Sequence, residues 1–108
     1  MVDVATYSLK STTIPRHQMM IVENLDMSWD FTDEFNQLDD GDSIAEHLIT
    51  VNTLAQYQAS QQSATKVVAF ISGSGGVVNQ SYLASCKITT ALGRVYQRDR
   101  WIQIVSSR

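Results

Sequence analysis

Eight of the eleven carboxylates fall between Asp26 and Glu46: Asp26, Asp30, Asp33, Glu34, Asp39, Asp40, Asp42 and Glu46. No lysine or arginine occurs between His17 and Thr65. Hard cations take clustered carboxylate oxygens, so Asp39-Asp40-Gly41-Asp42-Ser43 invites a calcium reading. The spacing argues against it. An EF-hand loop closes with a glutamate six positions after its glycine. Counted from Gly41 that position is His47, and Glu46 falls one short. A solvated acidic loop, or a face that meets a basic partner, fits the residues better. Other chemistry is no better supplied. His17 and His47 lie far apart with no cysteine beside either, which is not metal-ligand spacing. No Ser–His–Asp set can be assembled from the sequence. Gly73-Ser74-Gly75-Gly76 lacks the lysine and the following helix of a phosphate-binding loop, and reads as a turn. We therefore expect no enzyme activity, no metal and no cofactor.

The opposite charge collects near the C-terminus, where Lys87, Arg94, Arg98, Arg100 and Arg108 make five of the eight basic residues. Arg98 and Arg100 share one face of an extended strand. The pattern suits an exposed strand whose charges discourage edge pairing. It also suits a basic edge that docks on an acidic surface, such as the acidic loop of a neighbouring copy. Complementary patches of this kind set register and orientation more than raw affinity. Nucleic acid is a poor candidate partner: the formal net charge is −3, and the aromatic interleaving of single-strand binders is missing.

The elements that must carry these residues are strands. Lys66–Ser72 is an apolar run rich in Val, Ile and Phe. Ser81–Thr90 alternates, with Tyr82, Ala84, Cys86 and Ile88 on one face, as a half-buried antiparallel strand requires. Ala91-Leu92-Gly93-Arg94 is a turn in which Gly93 supplies the positive φ of a tight hairpin. Residues 95–105 form the closing strand, with Ile102 and Ile104 on one face and Trp101, Gln103 and Val105 on the other. Upstream, residues 21–30 alternate, with Leu25, Met27 and Trp29 inward and Trp29 as a core anchor. The segment 31–43 reads as a loop with one helical turn, and Asp40-Gly41 as a turn. Ile44–Val51 leans to strand on its β-branched end. Within the polar segment 52–65 a short edge strand is expected near 54–59, followed by a loop at Ser60-Gln61-Gln62-Ser63.

Residues 1–20 are mixed. Val2, Val4 and Thr6 alternate with Asp3 and Ala5, and Pro15, the sole proline, suits an edge or a linker. Two readings stand: a first strand of the domain, or an arm that adds a strand to a neighbouring subunit's sheet edge.

The 108 residues suit one domain, able to bury about two-thirds of its unfolded surface without a metal or disulfide. Apolar content of 44% is that of a globular chain. The single cysteine, Cys86, allows no intrachain disulfide and reads as a small buried hydrophobe. No run reaches the ~18 apolar residues of a membrane helix. The N-terminus lacks the basic-then-apolar layout of a signal peptide. A soluble protein made in the cytosol is expected. About seven short strands with turns every ~8–12 residues indicate a β-sandwich. Tyr82, at the start of a strand after a Gly-rich loop, suits the corner-pinning tyrosine of immunoglobulin-like sandwiches, here without a disulfide.

The order of these motifs resembles a group of small structural proteins of tailed bacteriophages, the fibre–tail adaptor type. The matching residues are Trp29, Gly41-Asp42-Ser43-Ile44, Ile49-Thr50-Val51, Ser72-Gly73, Tyr82, Ile88-Thr89-Thr90, Gly93-Arg94 and Arg100, over residues 24–105. The resemblance implies an all-β, immunoglobulin-like sandwich of about seven antiparallel strands, part of the virion, with no catalytic residues to carry over. On this reading residues 1–20 are an arm or first strand and 21–108 the domain. The expected partners are other virion proteins: tail tube, adaptor or nozzle, tail fibre or capsid protein, in several symmetric copies and with no membrane. Val2, Val4, Tyr7, Pro15, Asp39, Asp40, Asp42, Arg94, Arg98 and Arg100 are the candidate contact residues. The alternatives are a capsid cement or decoration protein, and a carbohydrate- or calcium-binding module with Tyr57, Tyr96 or Trp101 as a sugar platform.

Overall fold

A computed structural model describes residues 16–107. Seven strands and one helix follow in order: β1 (Arg16–Met19), β2 (Asn24–Asp30), α1 (Thr32–Leu38), β3 (Ile44–Val51), β4 (Ala55–Gln62), β5 (Lys66–Ser72), β6 (Ser81–Thr90) and β7 (Val95–Ile104). They make two sheets. One has the order β1-β7-β6-β3 and the other β2-β5-β4. All strand pairs are antiparallel except β1 with β7, which run parallel with Arg16 beside Trp101 and Met19 beside Ile104. The expectation of antiparallel strands throughout is corrected at that pair.

Period-two alternation decides what is buried. Ala84, Cys86 and Ile88 of β6 and Ile102 and Ile104 of β7 have no exposed surface, and they meet Met27, Trp29, Val67, Ala69 and Ile71 of the other sheet in one core. Interleaved positions such as Asp26, Ser28 and Lys87 face water. Cys86 is a core hydrophobe. Burial pushes its thiol up to about 11, so it is protonated and unreactive at neutral pH.

Three expectations need adjustment. The strand expected over 21–30 begins only at Asn24. Before it, the chain turns with the Glu23 N–H on the Met20 carbonyl (3.0 Å) and the Met20 N–H on Glu23 Oε1 (2.6 Å). The turn lies so close to Gly73 that a Cβ there would collide with the Met20 carbonyl oxygen. In place of one helical turn, α1 makes two. Asp30 Oδ1 accepts the Thr32 N–H (2.9 Å) at its start, Asp33 and Glu34 favour the first turn, and Phe35 is buried. β4 runs on through Ser60-Gln61-Gln62, expected as loop, and two register shifts let this polar edge strand follow β5. The remaining turn chemistry is as expected. Gly93 sits at φ +88°, with its N–H on the Thr90 carbonyl (3.0 Å), closing the β6–β7 hairpin. The Tyr82 hydroxyl accepts the Val77 N–H (2.9 Å) and pins the Gly-rich loop to β6.

Candidate protein-binding surfaces

The α1–β3 loop and the β6–β7 hairpin bring three of the candidate residues together. Arg94 Nη2 donates to Asp40 Oδ2 (2.6 Å) and Nη1 to Asp42 Oδ2 (3.0 Å). Asp42 Oδ1 also accepts the N–H groups of Ser43 (2.9 Å) and Leu92 (3.0 Å). Burial alone would push the Asp42 carboxyl up. Hydrogen bonds from Thr90, Leu92, Ser43 and Arg94 outweigh it and hold the group below the ordinary carboxylate value. Asp40 is lowered chiefly by its hydrogen bond from Arg94. Acidic loop and basic turn therefore meet within one chain, as a corner pin. Asp39 stands beside it, exposed, in the left-handed conformation (φ +47°) that ends α1. The acidic segment is also partly neutralised elsewhere, by Lys66 on Asp30 (3.8 Å) and Arg98 on Glu34 (3.5 Å). Asp26, Asp33, Asp39 and Glu46 have no ion pair among the described residues. Those residues also hold no group of three or more His, Cys, Asp or Glu placed to bind a metal ion.

Arg98 and Arg100 are not on a free charged face. They continue the row of Ile102 and Ile104, so they point toward the other sheet and cover its aromatic end. The Arg98 guanidinium lies 5.7 Å from the Phe31 ring centroid and 5.8 Å from that of Tyr96. That of Arg100 lies 5.3 Å from Trp29. A long stem lets an arginine shield apolar surface while its head stays wet, which is what the outer end of an inward row needs.

Arg100 also donates through Nη1 to His17 Nε2 (2.9 Å). A guanidinium can only donate, so His17 is neutral there, with its proton on Nδ1. Burial, then the Arg100 charge, hold its pKa below the usual imidazole value. Metal-ligand spacing gives His17 no role. The usable signal was the strand parity that carries Arg100 inward.

The two sides of the molecule differ. Between β3 and β4, the edge strands on one side, His47 Nδ1 contacts Gln62 Oε1 (2.6 Å) and Nε2 contacts Ser60 Oγ (2.7 Å). Gln62 Nε2 donates to the Ala45 carbonyl (3.2 Å). Side chains thus tie these edges together. Between β1 and β2, the edge strands on the other side, lies an open cleft of about 640 Å³ whose lining includes Arg16, His17, Leu25, Met27, Ile71 and Arg100. The candidate residues Val2, Val4, Tyr7 and Pro15 lie outside the described residues.

A sugar platform is not assembled. Tyr57 is exposed on β4 against Phe70 (5.8 Å between centroids), Tyr96 packs inward against Phe31 and Phe35 (6.3 Å each), and Trp101 belongs to the outward row of β7.

No curated protein matches the chain. A family model does, from Ile21 in the β1–β2 turn to Gln103 near the end of β7, so that β2 to β7 are covered. With seven strands and one short helix among its described residues, and matched over residues 21–103, the chain belongs to the family described as podophage GP4 fiber-tail adaptor protein gp77.

Proposed function

We propose that this chain is a virion module that attaches a tail fibre to the tail through protein–protein contacts, in several symmetric copies. The match over residues 21–103 carries the reading. The chain acts by binding and not by chemistry: Arg94, Asp40 and Asp42 are engaged in a corner pin, and its one thiol is buried and protonated. The scaffold is an immunoglobulin-like sandwich. In support, the orders β2-β5-β4 and β7-β6-β3 follow the B-E-D and G-F-C arrangement of that fold. Tyr82 reaches back to the backbone as a corner tyrosine does. The two sheets, with β1 paired on β7 and Met19 in the core, form the body, and the segment before β1 reaches a neighbouring subunit. The Asp39–Asp40–Asp42 loop and the Arg94 turn present a second contact surface at one end.

Particles from a phage lacking this chain test the reading. Tails without fibres, and a loss of adsorption restored by supplying the chain in trans, are expected. Fibres present in normal number would overturn it.

A further inference from the structure

We propose that the outer face of the β2-β5-β4 sheet holds an arginine of a partner virion protein, with its guanidinium on the Tyr57–Phe70 ring pair and the Asp26 carboxylate. The inference rests on the adaptor reading above and gives the chemistry of one of its contacts.

Alternation and register build this face. The exposed residues of β2 are Asn24, Asp26, Ser28 and Asp30. Asp26 pairs with Phe70 of β5, and Phe70 with Gln58 of β4. Directly opposed residues of antiparallel strands point to the same side. β4 carries one extra residue between Gln56 and Gln58 relative to β5. A bulge of this kind sets two residues against one, here Tyr57 and Gln58 against Phe70. The rings of Tyr57 and Phe70 meet edge to face, 5.8 Å between centroids. Tyr57 is 43% exposed, and Asp26 and Gln58 are exposed on either side of the half-buried Phe70. A carboxylate, an aromatic pair and an amide thus form one row across the sheet.

The same chain shows what such a row takes. Phe31 and Tyr96 are a second aromatic pair, 6.3 Å between centroids. The Arg98 guanidinium lies 5.7 Å from the Phe31 centroid and 5.8 Å from that of Tyr96, and its Nη2 is 3.5 Å from Glu34 Oε1. Ring pair, carboxylate and arginine make one unit there. Tyr57, Phe70 and Asp26 repeat the first two parts on an outer face.

Charge then decides the occupant. Directly opposed side chains lie about 5 Å apart at Cβ, so a partner seated on Phe70 also covers Asp26. A neutral partner would strip water from that carboxylate and give nothing back, and an acidic one would repel it. A cation answers both costs. Arginine suits the row better than lysine, because its planar head stacks on a ring while its edge donates to a carboxylate. Tyrosine and arginine are also the residues that most often anchor protein contacts.

The first test uses the full chain with acetyl-Gly-Arg-Gly-amide as probe. The citrulline peptide, of the same shape without the charge, is the control. NMR signals of Asp26, Tyr57 and Phe70 are expected to shift and saturate with the arginine peptide, and D26N should weaken binding by about fivefold. Equal shifts with both peptides, or none at these residues, overturn the proposal. The second test supplies D26R in trans to a phage lacking the chain. Position 26 is exposed, so D26R should melt within about 3 °C of the parent, while fibre number should fall by about tenfold. A normal fibre number with D26R overturns the arginine contact and leaves the adaptor reading standing. A normal fibre number with no chain supplied overturns the adaptor reading itself.

Discussion

Phe31→Ala is expected to lower the unfolding free energy by about 4 kcal/mol. Phe31 has no exposed surface, and it follows β2 directly, just before α1. Its N–H donates to the Thr65 carbonyl (2.8 Å), and its ring packs against Tyr96 and under Arg98. Truncation leaves a cavity that cannot collapse, because two sheets and a helix converge on it. A domain of this size has roughly 5–15 kcal/mol in all, so the variant should be marginal at room temperature. Urea denaturation measures it. A loss under about 1 kcal/mol would mean that this end of the core is loosely packed, contrary to the structure.

The second large effect is on acid stability. Asp40 and Asp42 both titrate below their ordinary value in the folded chain. The unfolded chain therefore binds protons first as pH falls. The stability these groups contribute is complete above about pH 4 and is lost as pH drops through their lowered folded values. Arg94→Met removes the guanidinium that joins them. Tm at pH 7 should fall by roughly 5 °C. The further fall between pH 4 and pH 2 should be shallower than in the parent chain, because Arg94 no longer lowers Asp40 and Asp42, but it should not vanish, since Thr90, Leu92 and Ser43 still hold Asp42 down. Melting curves across that range check both parts. Parallel pH profiles for parent and variant would show that the pin carries no proton linkage.

Much of the scaffold was legible because period-two alternation is a local signal. Lys66–Ser72, Ser81–Thr90 and Ile44–Val51 begin and end where the pattern places them. The misses have long-range causes. β4 extends through Gln62 because His47, fifteen residues earlier, binds it across the gap between sheets. α1 gains its second turn from Phe35, which is anchored by Tyr96 of a distant strand. For the candidate contacts, composition showed an acidic loop and a basic C-terminal region. It could not show that Arg94 closes on Asp40 and Asp42 of its own chain, since the partners are 54 and 52 residues apart. The inward turn of Arg98 and Arg100 was readable in principle. Both share parity with Ile102 and Ile104, and parity prevails over charge because a long arginine stem can lie inward while its head stays in water.

The central claim is that this chain joins a fibre to the tail of the particle. A cryo-electron microscopy map of the assembled virion tests it most directly. The account predicts several symmetric copies at the tail, seated between the tail and a fibre. Density spread over the capsid lattice, or absence of the chain from the particle, would contradict it.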